Sequence, residues 1–250
     1  MNESVLPVAQ PGTATPAAVS AAMPDPSTSV ATSSDASRTT DGGRRGRRPR
    51  VRPYALDRER YYAIALGGRR TRLRRLKLWL LHTNFRAVAC YRFSHQAHNL
   101  YARNKLLGLV PKIMSGIWRR RLLNRHHVML DPAAHIGPGL YVMHEFGLIV
   151  GPVTIGANCV LHQNVTIGQR VAGGDHGVPS LGNNVWIGPG ATITGAITIG
   201  NDVTISAGTV LSKSVPDGCL VAGNPGRIIQ QNYDNRSIMG VLVPVPDDHG

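Results

Sequence analysis

Between residues 135 and 211, aliphatic side chains fall six positions apart in three blocks: Ile136, Val142 and Leu148; Ile155, Leu161 and Ile167; then Leu181, Ile187, Ile193, Ile199, Ile205 and Leu211. A helix turns about 100° per residue, so six steps rotate a side chain by roughly 240° and scatter these positions around the axis. In extended chain an even spacing keeps them on one face. Small or turn-forming residues follow most of them, including Gly137, Gly156, Gly168, Gly182, Gly188, Gly200 and Ser206, and these permit a corner. Three short strands joined by corners close a triangular coil. Stacked coils bury the aliphatic column while each strand pairs with those above and below, so the pattern predicts a mainly β chain built as a parallel β-helix.

Breaks in the register are informative too. One extra residue separates Leu148 from Ile155 and predicts a bulge at a corner. A larger insertion, 168–180, leaves the register and returns at Leu181; with Arg170, Gly173, Gly174, Asp175, His176 and Gly177 it reads as an exposed polar loop, where functional residues concentrate.

Upstream the period changes. From Tyr54 to Arg125 apolar residues recur at helical spacing, as in Leu73, Leu76 and Leu80 and again in Leu106, Leu109, Ile113 and Ile117, which predicts several short helices. The stretch from Leu106 to Leu123, with Trp118 and the basic Arg119, Arg120 and Arg121, is amphipathic. Packing on the body of its own protein is the first expectation, and contact with a membrane surface or a partner is the alternative. The first 50 or so residues are rich in Ala, Pro, Ser, Thr and Gly and offer too little apolar surface to offset the entropy of ordering. The expected organisation is a disordered basic tail over 1–52, a helical region over 53–128, the β-helix over 129–229 and a C-terminal tail over 230–250.

Composition narrows the class further. The 250 residues carry a formal charge of +14, concentrated in the first third by Arg44, Arg45, Arg47, Arg48, Arg50 and Arg52 and by Arg69, Arg70, Arg72, Arg74, Arg75 and Lys77. Such a block is a solvated face or a contact with phosphate or anionic lipid. No nucleic-acid motif or aromatic platform accompanies it, so no nucleic-acid partner is expected. Cys90, Cys159 and Cys219 lie far apart without metal-like spacing, which points to a reducing compartment and no metal site. With no stretch approaching about 20 apolar residues and no secretory start, a cytoplasmic location is expected.

Four histidines lie in or beside the repeats: His135, His144, His162 and His176. His144 stands between the inward-facing Val142 and Leu148 and shares the parity of Val142, so a corner must turn it outward before it can meet a substrate. A strand histidine is more often packed or on the surface than catalytic. With an ordinary pKa near 6.5, however, imidazole can take a proton from a hydroxyl and return it to a thiolate.

Asp131-Pro132-Ala133-Ala134, His144-Glu145-Phe146-Gly147, Val165-Thr166-Ile167-Gly168 and Ala222-Gly223-Asn224-Pro225-Gly226-Arg227 complete the pattern. The segment from Asp131 to Ile228 resembles the serine acetyltransferase family and the related polysaccharide acetyltransferases of the hexapeptide-repeat superfamily. Upstream, Asn84-Phe85-Arg86-Ala87-Val88 and Tyr91-Arg92-Phe93-Ser94-His95 are similar to the helical lead-in of these enzymes. The resemblance implies a left-handed coil and a homotrimer, with acetyl-CoA lying between coils of neighbouring subunits and the loop reaching an adjacent site. It also implies direct acetyl transfer to an acceptor hydroxyl with His144 as base, and no metal. On the same grounds Asp175, His176 and Arg170 contact the acceptor, Gly190, Ala191, Ala207 and Gly208 line the pantetheine arm, and Arg227 meets a CoA phosphate.

Two departures from the family pattern bear on the acceptor. Met129 stands where the family has the aspartate that orients the histidine, leaving Asp131 or Glu145 as the carboxylate that substitutes. Met143 replaces the aspartate that holds the amino group of serine. Loss of a carboxylate weakens recognition of an ammonium group and favours a sugar hydroxyl, whereas Asp175 in the loop retains a partner for one. L-serine is ranked first, a sugar or polysaccharide precursor second, and a non-catalytic β-helix binding module third.

Overall fold

The computed structural model describes residues 52–67, 71–170 and 177–244. The tail expected over 1–52 therefore lies almost wholly outside the described residues, as do Asp175 and His176 of the loop. Four helices come first, α1 (Pro53–Leu66), α2 (Arg72–Leu81), α3 (Thr83–Arg103) and α4 (Lys105–His126).

Short strands β1 to β14 follow and form three parallel stacks. One face runs β1 (Met129–Leu130), β4 (Ile149–Val150), β7 (Thr166–Gly168), β10 (Thr192–Thr194) and β13 (Val210–Leu211). The second holds β2 (His135–Ile136), β5 (Thr154–Ile155), β8 (Ser180–Leu181) and β11 (Thr198–Ile199). The third holds β3 (Tyr141–Val142), β6 (Val160–Leu161), β9 (Trp186–Ile187), β12 (Thr204–Ile205) and β14 (Leu220–Ala222), with β15 (Arg227–Gln230) turning back antiparallel against β14.

Register shows why the six-residue period matters. On the third face Val142, Leu161, Ile187, Ile205 and Val221 lie one above another, and all are buried. On the second the column is Ile136, Ile155, Leu181 and Ile199, continued by a bridge to Val215. Stacked side chains bury apolar area while the inter-coil ladder satisfies the backbone.

The first face departs from the expected register: Leu130, Val150, Ile167, Ile193 and Leu211 form its column, so Val150 rather than Leu148 occupies the second coil. Leu148 is buried at the preceding corner, and its carbonyl accepts from the Met129 N–H at 2.7 Å. Two residues are thus added between Val142 and Val150, which widens the turn that carries His144, and the next step, from Val150 to Ile155, is one residue short.

Corners recur in the left-handed region. Asn158, Asn184 and Asp202 have φ of 59°, 57° and 55° between the second and third faces, a conformation Asn and Asp tolerate. Their side chains form a ladder, Asn158 Nδ2 donating to Asn184 Oδ1 at 3.1 Å and Asn184 Nδ2 to Asp202 Oδ1 at 2.9 Å.

The C-terminal segment is more than a tail. After β15 it runs back along this corner through α5 (Arg236–Met239). Asn235 Nδ2 donates to Asn184 O, Asn158 exchanges two hydrogen bonds with the backbone of Val243, and Arg60 donates to Met239 O at 2.7 Å. Residues 231–244 strap the coils to α1.

Helices α1 and α3 close the top of the stack, where β2 and β3 would otherwise present open edges. The Tyr61 hydroxyl accepts from Val142 N at 3.0 Å and donates to Val142 O at 3.1 Å; Tyr91 does the same between Ile136 N and Ala134 O. Phenol groups replace the missing ladder partners. Buried Arg92 donates to Asp57 at 2.7 and 3.1 Å and to Gly137 O at 2.6 Å, while Asp57 also accepts from Leu140 N at 2.9 Å.

The outer helices do not follow expectation. Leu73, Leu76, Leu80, Leu106, Leu109, Ile113 and Ile117 are all exposed, and α4 meets α3 instead through the buried Gly108 and Ser115. A Cβ at Gly108 would lie 2.3 Å from Tyr101 Cα, so only glycine allows this approach. With the small residues turned inward, the large apolar ones face out.

Candidate active site

His144 lies on the corner between the third and first faces. Val142 and Val150 are eight positions apart where the repeat would give six, and the two added residues take His144 off the strand parity and leave it exposed.

The turn around it is held from several sides. Asn84 Nδ2 donates to Val142 O at 3.0 Å and to Met143 O at 3.3 Å. Gly147 N donates to His126 O at 3.1 Å, Asn164 N to Phe146 O at 2.8 Å, and the Phe146 ring meets His127 edge-on at 5.4 Å. Gly147 has φ of 68°, and a Cβ there would lie 2.1 Å from Asn164 Oδ1. Glycine is therefore required at this bend.

Glu145 is engaged elsewhere than with the imidazole of His144. Its carboxylate accepts from the Thr83 hydroxyl at the start of α3 and lies 3.6 Å from His126 Nδ1. A carboxylate there also suits the positive end of the helix dipole. Glu145 thus ties the His144 turn to the helices.

Asp131 occupies a different corner, between the first and second faces, and its carboxylate accepts from Ala133 N at 2.8 Å. Arg170 is exposed beyond β7 at that same corner of the third coil. Within one chain, Asp131 and Arg170 stand one face away from His144.

Below His144 the structure adds a residue to which the sequence reading gave no role. His162 follows Leu161 and so stacks under Met143, one coil down. It is only 8% exposed, and its Nδ1 lies 2.9 Å from Ile187 O. A carbonyl can only accept, so Nδ1 carries a proton, and in the neutral ring Nε2 keeps its lone pair. Trp186 packs against the ring with centroids 4.6 Å apart. Burial holds the His162 pKa below the usual histidine range, a charge on His144 pushes it further down, and the hydrogen bond to Ile187 opposes both. Column arithmetic contained this signal, because Leu161 under Val142 places His162 beside the His144 turn. Next to it, the buried Gln163 Oε1 has no hydrogen-bond partner in the structure.

Further down the corner, Gly190, Ala207 and Gly208 are exposed, with φ of 71° at Gly190 and 67° at Gly208. No heavy atom lies within 4 Å of a Cβ built on Gly208, and the one on Gly190 would only touch Gly208. The edge is therefore open to a slender ligand. Ala191 differs: it is fully buried, its N–H donates to Gly188 O, and its carbonyl accepts from Thr166 N. It shapes the interior, while its neighbour Gly190 is exposed at the corner. Exposed Arg227 pairs with Ala222 at the foot of the same corner.

An imidazole thus stands at the top of a glycine-lined edge with a guanidinium at its foot. The family model for the bacterial transferase hexapeptide (six repeats) matches residues 179–213. A serine acetyltransferase of Helicobacter pylori is 32% identical over 158 residues, covering 61% of this chain and 85% of that protein. This chain belongs to the serine acetyltransferase family. Its relative from Synechococcus elongatus, also a serine acetyltransferase, is 36% identical over 160 residues, 63% of this chain; there the chain spans 61% of the relative's length.

Solved structures agree. The Brucella abortus serine acetyltransferase in complex with coenzyme A superposes with a TM-score of 0.60 at 30% identity, covering 73% of this chain and 68% of that one. The Neisseria gonorrhoeae enzyme in complex with serine gives 0.57 at 27% identity, covering 71% and 67%. The coil is the left-handed parallel β-helix expected of this family.

Proposed function

We propose that the chain is an acetyl-CoA-dependent O-acetyltransferase with L-serine as acceptor and His144 as general base. The observation that carries this reading is the exposed imidazole on a firmly held turn at the head of an open glycine edge. Acetyl-CoA supplies the activated acetyl thioester, and Gly190, Ala207, Gly208 and Arg227 are the residues that would hold it. His144 takes the acceptor hydroxyl proton as the new C–O bond forms, then returns it to the departing sulfur as the C–S bond breaks. Such base assistance contributes about 10²–10⁴-fold, and alignment of the two substrates supplies much of the rest. His162, kept neutral by burial, adds no cation beside the base.

The working unit in this reading is a homotrimer in the cytoplasm. His144 stands at one corner of the coil, and Arg170 stands at another. A site that uses both takes them from two subunits, and Asp131 would reach the same site from the loop's side.

Met143 favours a second acceptor class, because it does not supply the carboxylate that an ammonium group needs. A sugar hydroxyl has no such need. Release of free thiol from acetyl-CoA, followed with L-serine and with a panel of sugars, separates the two. Serine-dependent release that falls about 10²–10⁴-fold in His144→Ala, with CoA affinity retained, supports the proposal. Release with sugars alone transfers it to the second class, and no release with any acceptor removes the catalytic reading.

A further inference from the structure

Between Tyr61 and Leu130 the sequence holds fifteen Lys and Arg residues and no Asp or Glu. Within this stretch, α4 points its apolar residues away from the protein. Leu106 is 83% exposed, Val110 63% and Ile113 55%. At 100° per residue these positions, with Leu109 and Ile117, share one face, and the buried Gly108 and Ser115 mark the opposite one. Lys105, Lys112, Arg120 and Arg121 rim that face and are exposed. Helix α2 repeats the arrangement, with Leu73, Leu76 and Leu80 outward among Arg72, Arg75 and Lys77. Trp79 of α2 stacks on Trp118 of α4 at 5.9 Å, joining the two helices.

An apolar face of this size on the water side is unfavourable unless something covers it. The rim decides what. A second copy presenting the same face would set the same cations against each other with no carboxylate on either helix to pair them. An anionic bilayer offers hydrocarbon for the leucines and isoleucines and phosphate for the lysines and arginines. No helix among the described residues is long and apolar enough to cross a membrane, so the geometry is that of a helix pair lying in the interface.

We propose that α2 and α4 form a docking face for the surface of an anionic lipid bilayer, which would seat the transferase beside membrane-held material. This assignment is independent of the acceptor and of catalysis.

Flotation of the full chain with phosphatidylcholine vesicles, with and without phosphatidylglycerol, tests it. The Arg44–Arg52 run would itself attract anionic vesicles, so the decisive variant leaves that run intact and changes only the apolar face: Ile113→Asp with Ile117→Asp. The expected results are binding to the phosphatidylglycerol vesicles, little to the neutral ones, and at least about a tenfold loss in the variant with an unchanged circular-dichroism melt. The single variant Leu106→Asp, near the end of α4, should give a smaller loss in the same direction. Equal binding of both variants and the parent would overturn the proposal, as would absence of binding by the parent. A fall in oligomer mass in the variants would overturn it in favour of a subunit interface.

Discussion

The coil and the outer helices use the same residues to opposite ends. In the coil, Leu and Ile point inward and stack between parallel strands, so apolar burial and backbone pairing reinforce each other at every turn. In α2 and α4 most leucines and isoleucines point outward, and the internal contact falls to Leu78 in α2 and to the small Gly108 and Ser115 in α4. Between the two regions lies a polar lid, in which Tyr61, Tyr91, Asp57 and Arg92 stand in for a coil that does not exist. A residue's hydrophobicity therefore says that it will be covered, but only its neighbours say by what.

The lid is where the comparison breaks most readily. Asp57 is fully buried and shared between Arg92 and the Leu140 N–H. Asp57→Ala strands the guanidinium and should cost about 3–5 kcal/mol, read by urea unfolding. Adding Arg92→Met should recover part of the loss. If the double variant is less stable than the single, the pair is not what holds the lid.

Next in size is the contrast between inside and outside. Leu161→Ala, in the third-face column, should cost about 2–5 kcal/mol through lost burial and a cavity. Ile113→Ala on the outward face of α4 should change the stability of the protein in solution by less than about 0.5 kcal/mol. Comparable losses at both positions would show that the α4 face is covered within the protein's own assembly.

Gly147→Ala should be milder in stability and larger in consequence. Forcing a side chain into the left-handed bend costs about 1–2 kcal/mol, and its Cβ must also displace the Asn164 amide, which shifts the turn carrying His144. Activity should fall more than stability does, since a displacement of about 1 Å can cost about 10²-fold. Unchanged turnover in a destabilised variant would uncouple that bend from the site.

Much of this was legible in the sequence. The six-residue column predicted the coil because strand parity and corner glycines leave few alternatives, and His144 was visible through the resemblance of its motif, although the break of register was expected after Leu148 and not around His144. What escaped was whatever depends on the third dimension. Leu148 and Val150 are both aliphatic, and only the ladder shows that Val150 takes the column. Glu145 was adjacent to His144 in sequence, yet Thr83 and His126, far away along the chain, claim its carboxylate. Helical spacing in α4 identified a face but could not give its direction, which Gly108 and Ser115 set by allowing close approach to α3. The strap over 231–244 carries no periodicity, because its hold comes from single polar contacts to Asn158 and Asn184.

The smallest expected effect concerns His162, which the coil buries just below an exposed histidine. Its folded pKa lies below the ordinary value near 6.5, so between the two values the unfolded chain binds a proton that the folded chain does not. Stability contributed at this position is therefore fully present above about pH 7, and it declines as pH falls through the unfolded value. One group limits the slope to about 1.4 kcal/mol per pH unit. Urea unfolding of the parent and of His162→Asn from pH 7.5 to 5 should give curves that diverge on the acid side, the variant losing less. Parallel curves would mean that the imidazole accepts its proton without leaving the coil, and then the site could hold two cations one above the other. That outcome would remove the electrostatic reason for keeping His162 dry, and with it the argument that burial beneath the His144 corner protects the proposed base above.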